Sequence, residues 1–190
     1  MANSEPDLEV AVKLLDLTIP YEPLEKKALY SEITKEYRWL ANGSSKMRLL
    51  VATEPSEKTL PKDFAQKLVE NVPALNYQLC TNHGKQSFAE HLGEEQNDLP
   101  HVLEHIIIGL LMMIKNDNYH GITMGNDDLA EIIITYNNKK TAVELAYLGI
   151  ELLKALIAGK EIDLIGKIKD INGGRVLVWR KNAKGAKIEN

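Results

Sequence analysis

The sequence predicts an α+β fold, in which a small mixed or antiparallel sheet packs against two long helices. Three observations support this class. Apolar spacing predicts one long helix over residues 99–115 and a second over residues 141–158. Between them, residues 129–136 contain three consecutive isoleucines, and such β-branched runs favour a strand. A short apolar run at residues 47–52 predicts a further strand.

Residues 1–45 are predicted to form a lead-in segment with a helix. Residues 8–17 fit either a strand or a short helix, and two prolines interrupt the chain after them. Residues 24–40 carry apolar side chains at helical spacing and are predicted to be helical. Residues 42–45 are Asn-Gly-Ser-Ser, which indicates a turn before the main domain.

The first half of the main domain, which spans residues 46–180, is predicted to contain two further elements before its long helices. Residues 62–70 favour a helix with Phe64 and Leu68 facing inward. In residues 75–80, Leu75, Tyr77 and Leu79 alternate with polar or small residues, which indicates a strand. Residues 87–92 are predicted to form a helical turn.

The helix that begins at Leu99 has the clearest start signal in the chain. Asp98 is a good N-cap, and Pro100 lies in the first turn, where its missing N–H costs nothing. From Ile106 onward the helix is apolar nearly all round, so we expect it to be buried. After the second long helix, residues 162–168 fit a helix or a strand and residues 176–179 a strand. Residues 181–190 are predicted to be a polar tail.

Composition excludes several classes of protein. The chain carries 23 Lys and Arg against 27 Asp and Glu, a net charge of −4, which argues against nucleic-acid binding. The longest apolar stretch, residues 106–114, is too short to cross a membrane. A single cysteine, Cys80, cannot form an internal disulfide, and the polar N-terminus does not resemble a secretory signal. We therefore expect a cytoplasmic protein.

A candidate metal motif, His101-Val-Leu-Glu104-His105, lies near the start of the first long helix. Residues i and i+4 lie on one face of a helix, so both imidazoles can bind one Zn²⁺. Glu104 lies beside the pair and can accept a proton from a water molecule. This order of residues is that of the inverted zincins. The alternative interpretation is a pair of helix histidines that bind only backbone groups.

A catalytic zinc site needs a third protein ligand. Glu144, in the first turns of the second long helix, is the preferred candidate, and its alternative role is that of an ordinary solvated residue near a helix N-terminus. Cys80 is interpreted as a small buried hydrophobic residue rather than a nucleophile. The other candidate ligands are acidic or histidine residues elsewhere in the chain: Glu131, Glu151, His83, His91 and His120.

Between about residues 62 and 158 the chain carries a series of motif residues: Phe64, Leu68, Pro73, Leu75, Cys80, Gly84, Phe88, Leu92 and the His101–His105 motif. Their order resembles that in the N-terminal domain of bacterial cyanophycin synthetases. The chain departs from the family at residues 97–99, where Asn-Asp-Leu replaces a Gly-Thr pair. It departs again after His105, where an isoleucine-rich stretch replaces a more polar one.

The resemblance implies a specific activity. In some members the domain resembles a pitrilysin-type zinc peptidase and cuts cyanophycin, an aspartate polymer that carries arginine on its side-chain carboxylates, into primers. It implies that His101 and His105 are zinc ligands and that Glu104 is the base. Pitrilysin-type sites take a glutamate from a later helix, which suits Glu144. Because 190 residues leave no room for the two ATP-using domains of a synthetase, we expect a stand-alone module.

Three functional hypotheses follow. The first is a zinc-dependent hydrolase of peptide or isopeptide bonds, acting on a peptide-like polymer such as cyanophycin or on a small peptide. The second is a non-catalytic module that binds the polymer or docks onto a synthetase and keeps a relic metal site. The third is a homo-oligomeric scaffold with an incidental histidine pair. In the second, arginine side chains would meet acidic residues: Glu90, Glu94, Glu95, Asp98, Asp127 and Asp128.

Overall fold

The fold is that of a computed structural model, which describes residues 12–21, 40, 44–53, 60–80, 87–95, 98–125, 129–178 and 187–189. Its strands are β1 (Val12–Thr18), β2 (Lys46–Thr53), β3 (Gly121–Gly125), β4 (Leu129–Thr135), β5 (Val176–Val178) and β6 (Lys187–Glu189). Its α-helices are α1 (Phe64–Asn71), α2 (Phe88–Glu95), α3 (Leu99–Ile114), α4 (Lys139–Ile157) and α5 (Leu164–Ile171). A 3-10 helix, Pro73–Tyr77, follows α1.

The main sheet has four antiparallel strands in the order β1-β2-β4-β3. The β-branched side chains of β4 make it suitable for a central position, where it pairs with both β2 and β3. On β2, Met47, Leu49 and Val51 are fully buried and alternate with Arg48 and Leu50 on the opposite face. This alternation directs one face of the sheet toward the helices. The predicted α+β class, with an antiparallel sheet and two long helices, is confirmed.

Helix α3 lies in the centre of the core. Every residue from Leu99 to Leu111 is buried, as its apolar composition predicts. It packs against strands β3 and β4 on one side and against α4 on another. Gly149 of α4 permits this close packing, because a Cβ there would lie 3.0 Å from the Ile107 side chain. The His101–His105 motif therefore lies on a buried helix that packs against the sheet and against α4.

Several local predictions are confirmed with small shifts of their ends. The strands at residues 47–52 and 129–136 and the helices at residues 62–70, 99–115 and 141–158 are present as β2, β4, α1, α3 and α4. The two ambiguous segments are now assigned over their described residues: residues 12–17 belong to strand β1, and residues 164–168 belong to helix α5. Most of the predicted helix at residues 24–40 lies outside the described residues.

Two segments differ from the sequence prediction. The strand predicted at residues 75–80 is wrong, because a 3-10 helix covers its first half, residues 75–77, and in the second half only Leu79 forms an isolated bridge, to Ser87. Within the predicted polar tail, residues 187–189 form β6, which pairs with β5. Strand β1, from the predicted lead-in, pairs with β2 in the main sheet.

Among the helices of the described ranges, none has the length and apolar character of a membrane span.

Candidate metal and catalytic site

Three polar side chains of α3 lie at one cavity. His101, Glu104 and His105 occupy positions i, i+3 and i+4, which share a helix face, and all three are at most 6% exposed. The cavity has a volume of about 430 Å³ and is lined by residues 77–80, this face of α3 and residues 117–123. The sequence prediction that the motif lies on one face of a helix is confirmed.

The helix start fixes where the motif lies. The Asp98 side chain accepts a hydrogen bond from the backbone N–H of His101 at 3.2 Å, which is the predicted N-cap. Pro100 lies in the first turn, as predicted. The carboxylate of Asp98 also lies 4.0 Å from Nδ1 of His101. Asp98 therefore both caps the helix and contacts the first histidine of the motif.

Gln78 sets the tautomer of His105. Its Nε2 donates to the backbone carbonyl of His105 at 3.0 Å, and because a carbonyl only accepts, the orientation of the amide is determined. Its Oε1 then lies 2.7 Å from Nδ1 of His105, so Nδ1 carries the proton. The lone pair of the ring is therefore on Nε2. Metal-binding histidines show this same arrangement, with the second nitrogen bonded to a carbonyl or carboxylate.

Aromatic and sulfur contacts hold the two imidazoles in place. The ring of Phe88 stacks on His105 with centroids 3.7 Å apart and meets His101 edge-on at 5.6 Å. The two imidazole centroids are 4.9 Å apart. Sγ of Cys80 lies 3.5 Å from Nε2 of His101. The motif residues Cys80 and Phe88 thus contact the histidine pair directly.

Glu104 is a buried carboxyl group with one strong hydrogen bond. The hydroxyl of Thr123 donates to its Oε2 at 2.6 Å. Gly121 permits the close approach of β3, since a Cβ there would lie 2.5 Å from Oε1 of Glu104. Burial raises the pKa of Glu104 from 4.5 to about 7, although Thr123 and His101 act in the opposite direction. Near neutral pH this group therefore exists in both protonation states.

The carboxylates predicted as a third ligand have other partners. Glu144 lies 3.9 Å from Nζ of Lys140 and does not line the cavity. Glu131 forms an ion pair with Arg48 on the sheet. Glu151 accepts a hydrogen bond from Lys167 at 3.2 Å. In the part of the chain that the structure describes, none of these three belongs to the cluster around His101 and His105.

The other candidate residues are divided between the cavity and the surface. His120 lines the cavity beside Asp117, whereas His91 lies in α2 and does not line it. His83 lies outside the described residues. Among the acidic candidates, Asp98 lines the cavity and Glu90 accepts from the backbone of Ser87. The side chains of Glu94, Glu95, Asp127 and Asp128 lie outside the described part.

Sequence reasoning missed the roles of Gln78 and Cys80. The predicted strand was based on the alternation of Leu75, Tyr77 and Leu79, but in the structure Gln78 and Cys80 are buried while Leu79 is 65% exposed. The prediction that Cys80 is buried is confirmed, but its contact with His101 was not expected. One signal was present in the sequence: Gln78 and Cys80 are two residues apart, so both could face α3 from one side of an extended segment.

The donor set is compatible with zinc. Imidazole and thiolate are the ligands that Zn²⁺ favours, and His101, His105 and Cys80 present such donors together. The hydrogen bond from His105 to Gln78 fixes the tautomer that binding requires. These side chains could hold a metal ion, and Glu104 lines the same cavity.

Comparison with known protein families agrees with the motif order. Residues 46–158, more than half of the chain, match the family described as cyanophycin synthase-like N-terminal domain. The chain belongs to this family. The family match begins at β2 and ends just after α4, so it includes the whole cavity described above. None of the curated proteins matches the chain.

Proposed function

We propose that this cyanophycin synthase-like domain is a zinc-dependent hydrolase of peptide or isopeptide bonds. His101 and His105 would hold the zinc ion, and Glu104 would act as general base. The observation that supports this most strongly is the joint position of all three side chains on one buried face of α3, at one cavity. Zinc would supply a Lewis acid that polarises a carbonyl and lowers the pKa of water.

Glu104 has the properties that a general base needs. In the metal-free protein, burial raises its pKa to about 7, close to neutral pH, where a base can both accept and release a proton. It would take a proton from the attacking water and deliver it to the leaving amine as the carbon–nitrogen bond breaks. Thr123 fixes one carboxyl oxygen by its hydrogen bond, so the group would keep its orientation during this transfer.

Two acidic residues that line the cavity support a cationic substrate. These are Asp98 and Asp117, which also pairs with Lys115 at 2.8 Å, and carboxylates form strong paired hydrogen bonds with guanidinium groups. The family description connects this domain to cyanophycin synthase. We therefore propose a polymer with arginine side chains, or a small peptide derived from it, as the substrate.

The test compares zinc content and hydrolysis in the wild type and Glu104→Gln. The substitution keeps the shape of the side chain and an acceptor for Thr123, so the protein should fold and retain one zinc per chain. Hydrolysis of an aspartate–arginine polymer or dipeptide should fall by ~10²–10⁴, because the base is lost. Glu70→Gln is the matched control, since Glu70 lies on α1 away from the cavity and its loss should change neither quantity.

The non-catalytic module is the alternative outcome of the same experiment. A wild-type protein that binds the polymer with unchanged affinity after chelation, and after His101→Ala, but never hydrolyses it would support that alternative. A protein that remains free of zinc after purification with zinc present would overturn the hydrolase proposal.

A further inference from the structure

A metal bound by His101 and His105 needs one more protein ligand, and Cys80 is the side chain that the fold brings to it. Sγ of Cys80 and one ring nitrogen from each histidine all lie within 4.8 Å of one another. We propose that Cys80 binds the metal as a thiolate and completes a His-His-Cys ligand set. This inference rests on the metal site proposed above, and it replaces the expected glutamate from the later helix.

The distances suit a shared metal ion. Zinc–sulfur and zinc–nitrogen bonds of ~2.3 Å and ~2.0 Å at a tetrahedral angle place the sulfur and nitrogen ~3.5 Å apart. Sγ of Cys80 and Nε2 of His101 are 3.5 Å apart. A thiol has a single hydrogen and can donate to one nitrogen only. The presence of both imidazoles within reach of Sγ is therefore better explained by one ion that binds all three groups.

The charge of the cavity supports the same conclusion. Cys80 is 4% exposed, and a buried thiolate is costly without a nearby positive charge. Among the described residues that line the cavity, none is Lys or Arg. A divalent cation would supply that charge. On binding, the thiol would release its proton to solvent, and the resulting thiolate sulfur would bind the metal.

Neighbouring carboxylates are less well placed than Cys80. In the described ranges, no Asp or Glu joins the Cys80, His101 and His105 cluster. Glu104, the nearest carboxylate on α3, is bonded to Thr123 and is assigned to proton transfer. Glu144 is 38% exposed and pairs with Lys140.

The ligand set predicts which metals bind. Thiolate and imidazole favour Zn²⁺ and its spectroscopic substitute Co²⁺ over Mg²⁺, Ca²⁺ and Mn²⁺, which prefer oxygen ligands. Three protein ligands leave the fourth position of a tetrahedral site open, which is the arrangement of catalytic zinc. Cys80 would therefore complete the site without blocking access to it.

Cobalt substitution tests the inference on the full chain. A cobalt ion bound by a thiolate shows an intense sulfur-to-metal charge-transfer band in the near ultraviolet, and carboxylate or imidazole ligands do not produce it. Because Cys80 is the single cysteine of the chain, the band can arise from no other residue. We expect the wild-type protein to show the band and Cys80→Ser to lose it. Zinc affinity in Cys80→Ser should fall at least ~100-fold, more than for a residue that only orients a ligand.

Glu144→Gln is the control variant for this experiment. It should keep both the band and the zinc affinity of the wild type. If the wild type binds cobalt without the band and Glu144→Gln weakens binding, Cys80 is not a ligand, while the proposed hydrolase still stands. If the wild type binds neither cobalt nor zinc, both proposals are overturned. Should Cys80→Ser fail to fold, the wild-type spectrum still decides the matter, with Cys80→Ala as the second variant.

Discussion

At the level of single residues, Glu104 shows how burial sets the chemistry of the cavity. A solvated glutamate would be ionised at neutral pH, but this carboxyl group is 5% exposed and its pKa is raised to about 7. Thr123 and His101 stabilise the ionised form, Asp98 opposes it, and burial has the largest effect. The same burial that makes Glu104 a suitable base makes its ionisation destabilising for the fold.

This conflict predicts a pH dependence of stability in the metal-free protein. The folded pKa of about 7 lies above the unfolded value of 4.5, so between these values the folded state holds a proton that the unfolded state has lost. Stability should therefore be highest below pH 4.5 and fall as the pH rises to about 7, by roughly 3 kcal/mol in all. Urea unfolding with a chelator present, at a series of pH values, measures this change.

Glu104→Gln is the control for that measurement. Its side chain has no proton to lose, so the fall over this pH range should be absent, and the free energies of the two proteins should diverge as the pH drops. Parallel pH profiles for the two proteins would show that Glu104 does not carry a raised pKa.

At the level of elements, the correctly predicted segments are those whose structure depends on residues close together in the sequence. Helix α3 and strand β4 have strong local signals, a capped apolar helix and a β-branched run, and both were predicted. The segment at residues 75–80 was mispredicted, because its buried polar side chains are satisfied by α3. Alternation of apolar residues cannot reveal that a glutamine and a cysteine face a histidine pair elsewhere in the chain.

The same distinction applies to the candidate site. His101, Glu104 and His105 are neighbours on one helix, so helical periodicity alone was sufficient to group them. Any third ligand depends on which distant segment packs against α3, and the sequence prediction chose Glu144 and interpreted Cys80 as a small buried hydrophobic residue. The structure instead brings residues 77–80 to the cavity. Contacts of this kind depend on tertiary packing, which the spacing of residues along a single sequence does not reveal.

The N-cap of α3 predicts an effect that separates stability from metal binding. Asp98→Ala removes the cap on His101 N–H and should cost about 1 kcal/mol of stability. It also removes the carboxylate 4.0 Å from Nδ1 of His101, so zinc affinity should fall by ~10-fold or more. Urea unfolding and a competitive zinc titration measure the two effects.

Asp163→Ala provides the matched control for the cap. Asp163 caps α5 through Gly166 N–H at 2.9 Å and does not line the cavity. Its loss should cost a similar amount of stability and leave zinc affinity unchanged. Equal zinc affinities in the Asp98 and Asp163 variants would contradict a role for Asp98 in orienting His101.

At the scale of the whole molecule, the cavity connects parts of the fold that are distant in the sequence. Residues 77–80, helix α3 and residues 117–123 all contribute to it. A ligand that binds Cys80 and α3 together would hold these parts in their native arrangement. Because the unfolded chain lacks this arrangement, metal binding should favour the folded state.

Zinc should therefore raise the unfolding temperature of the whole domain. Free zinc at about 100 times its dissociation constant adds about 2.7 kcal/mol of stability, which corresponds to a shift of roughly 5–10 °C for a chain of this size. Differential scanning calorimetry with and without a chelator measures the shift. The double variant His101→Ala/His105→Ala should show none, because both imidazole ligands are absent. A shift of equal size in the double variant would mean that zinc stabilises the protein from another site, and no shift in the wild type would argue against a metal in this cavity.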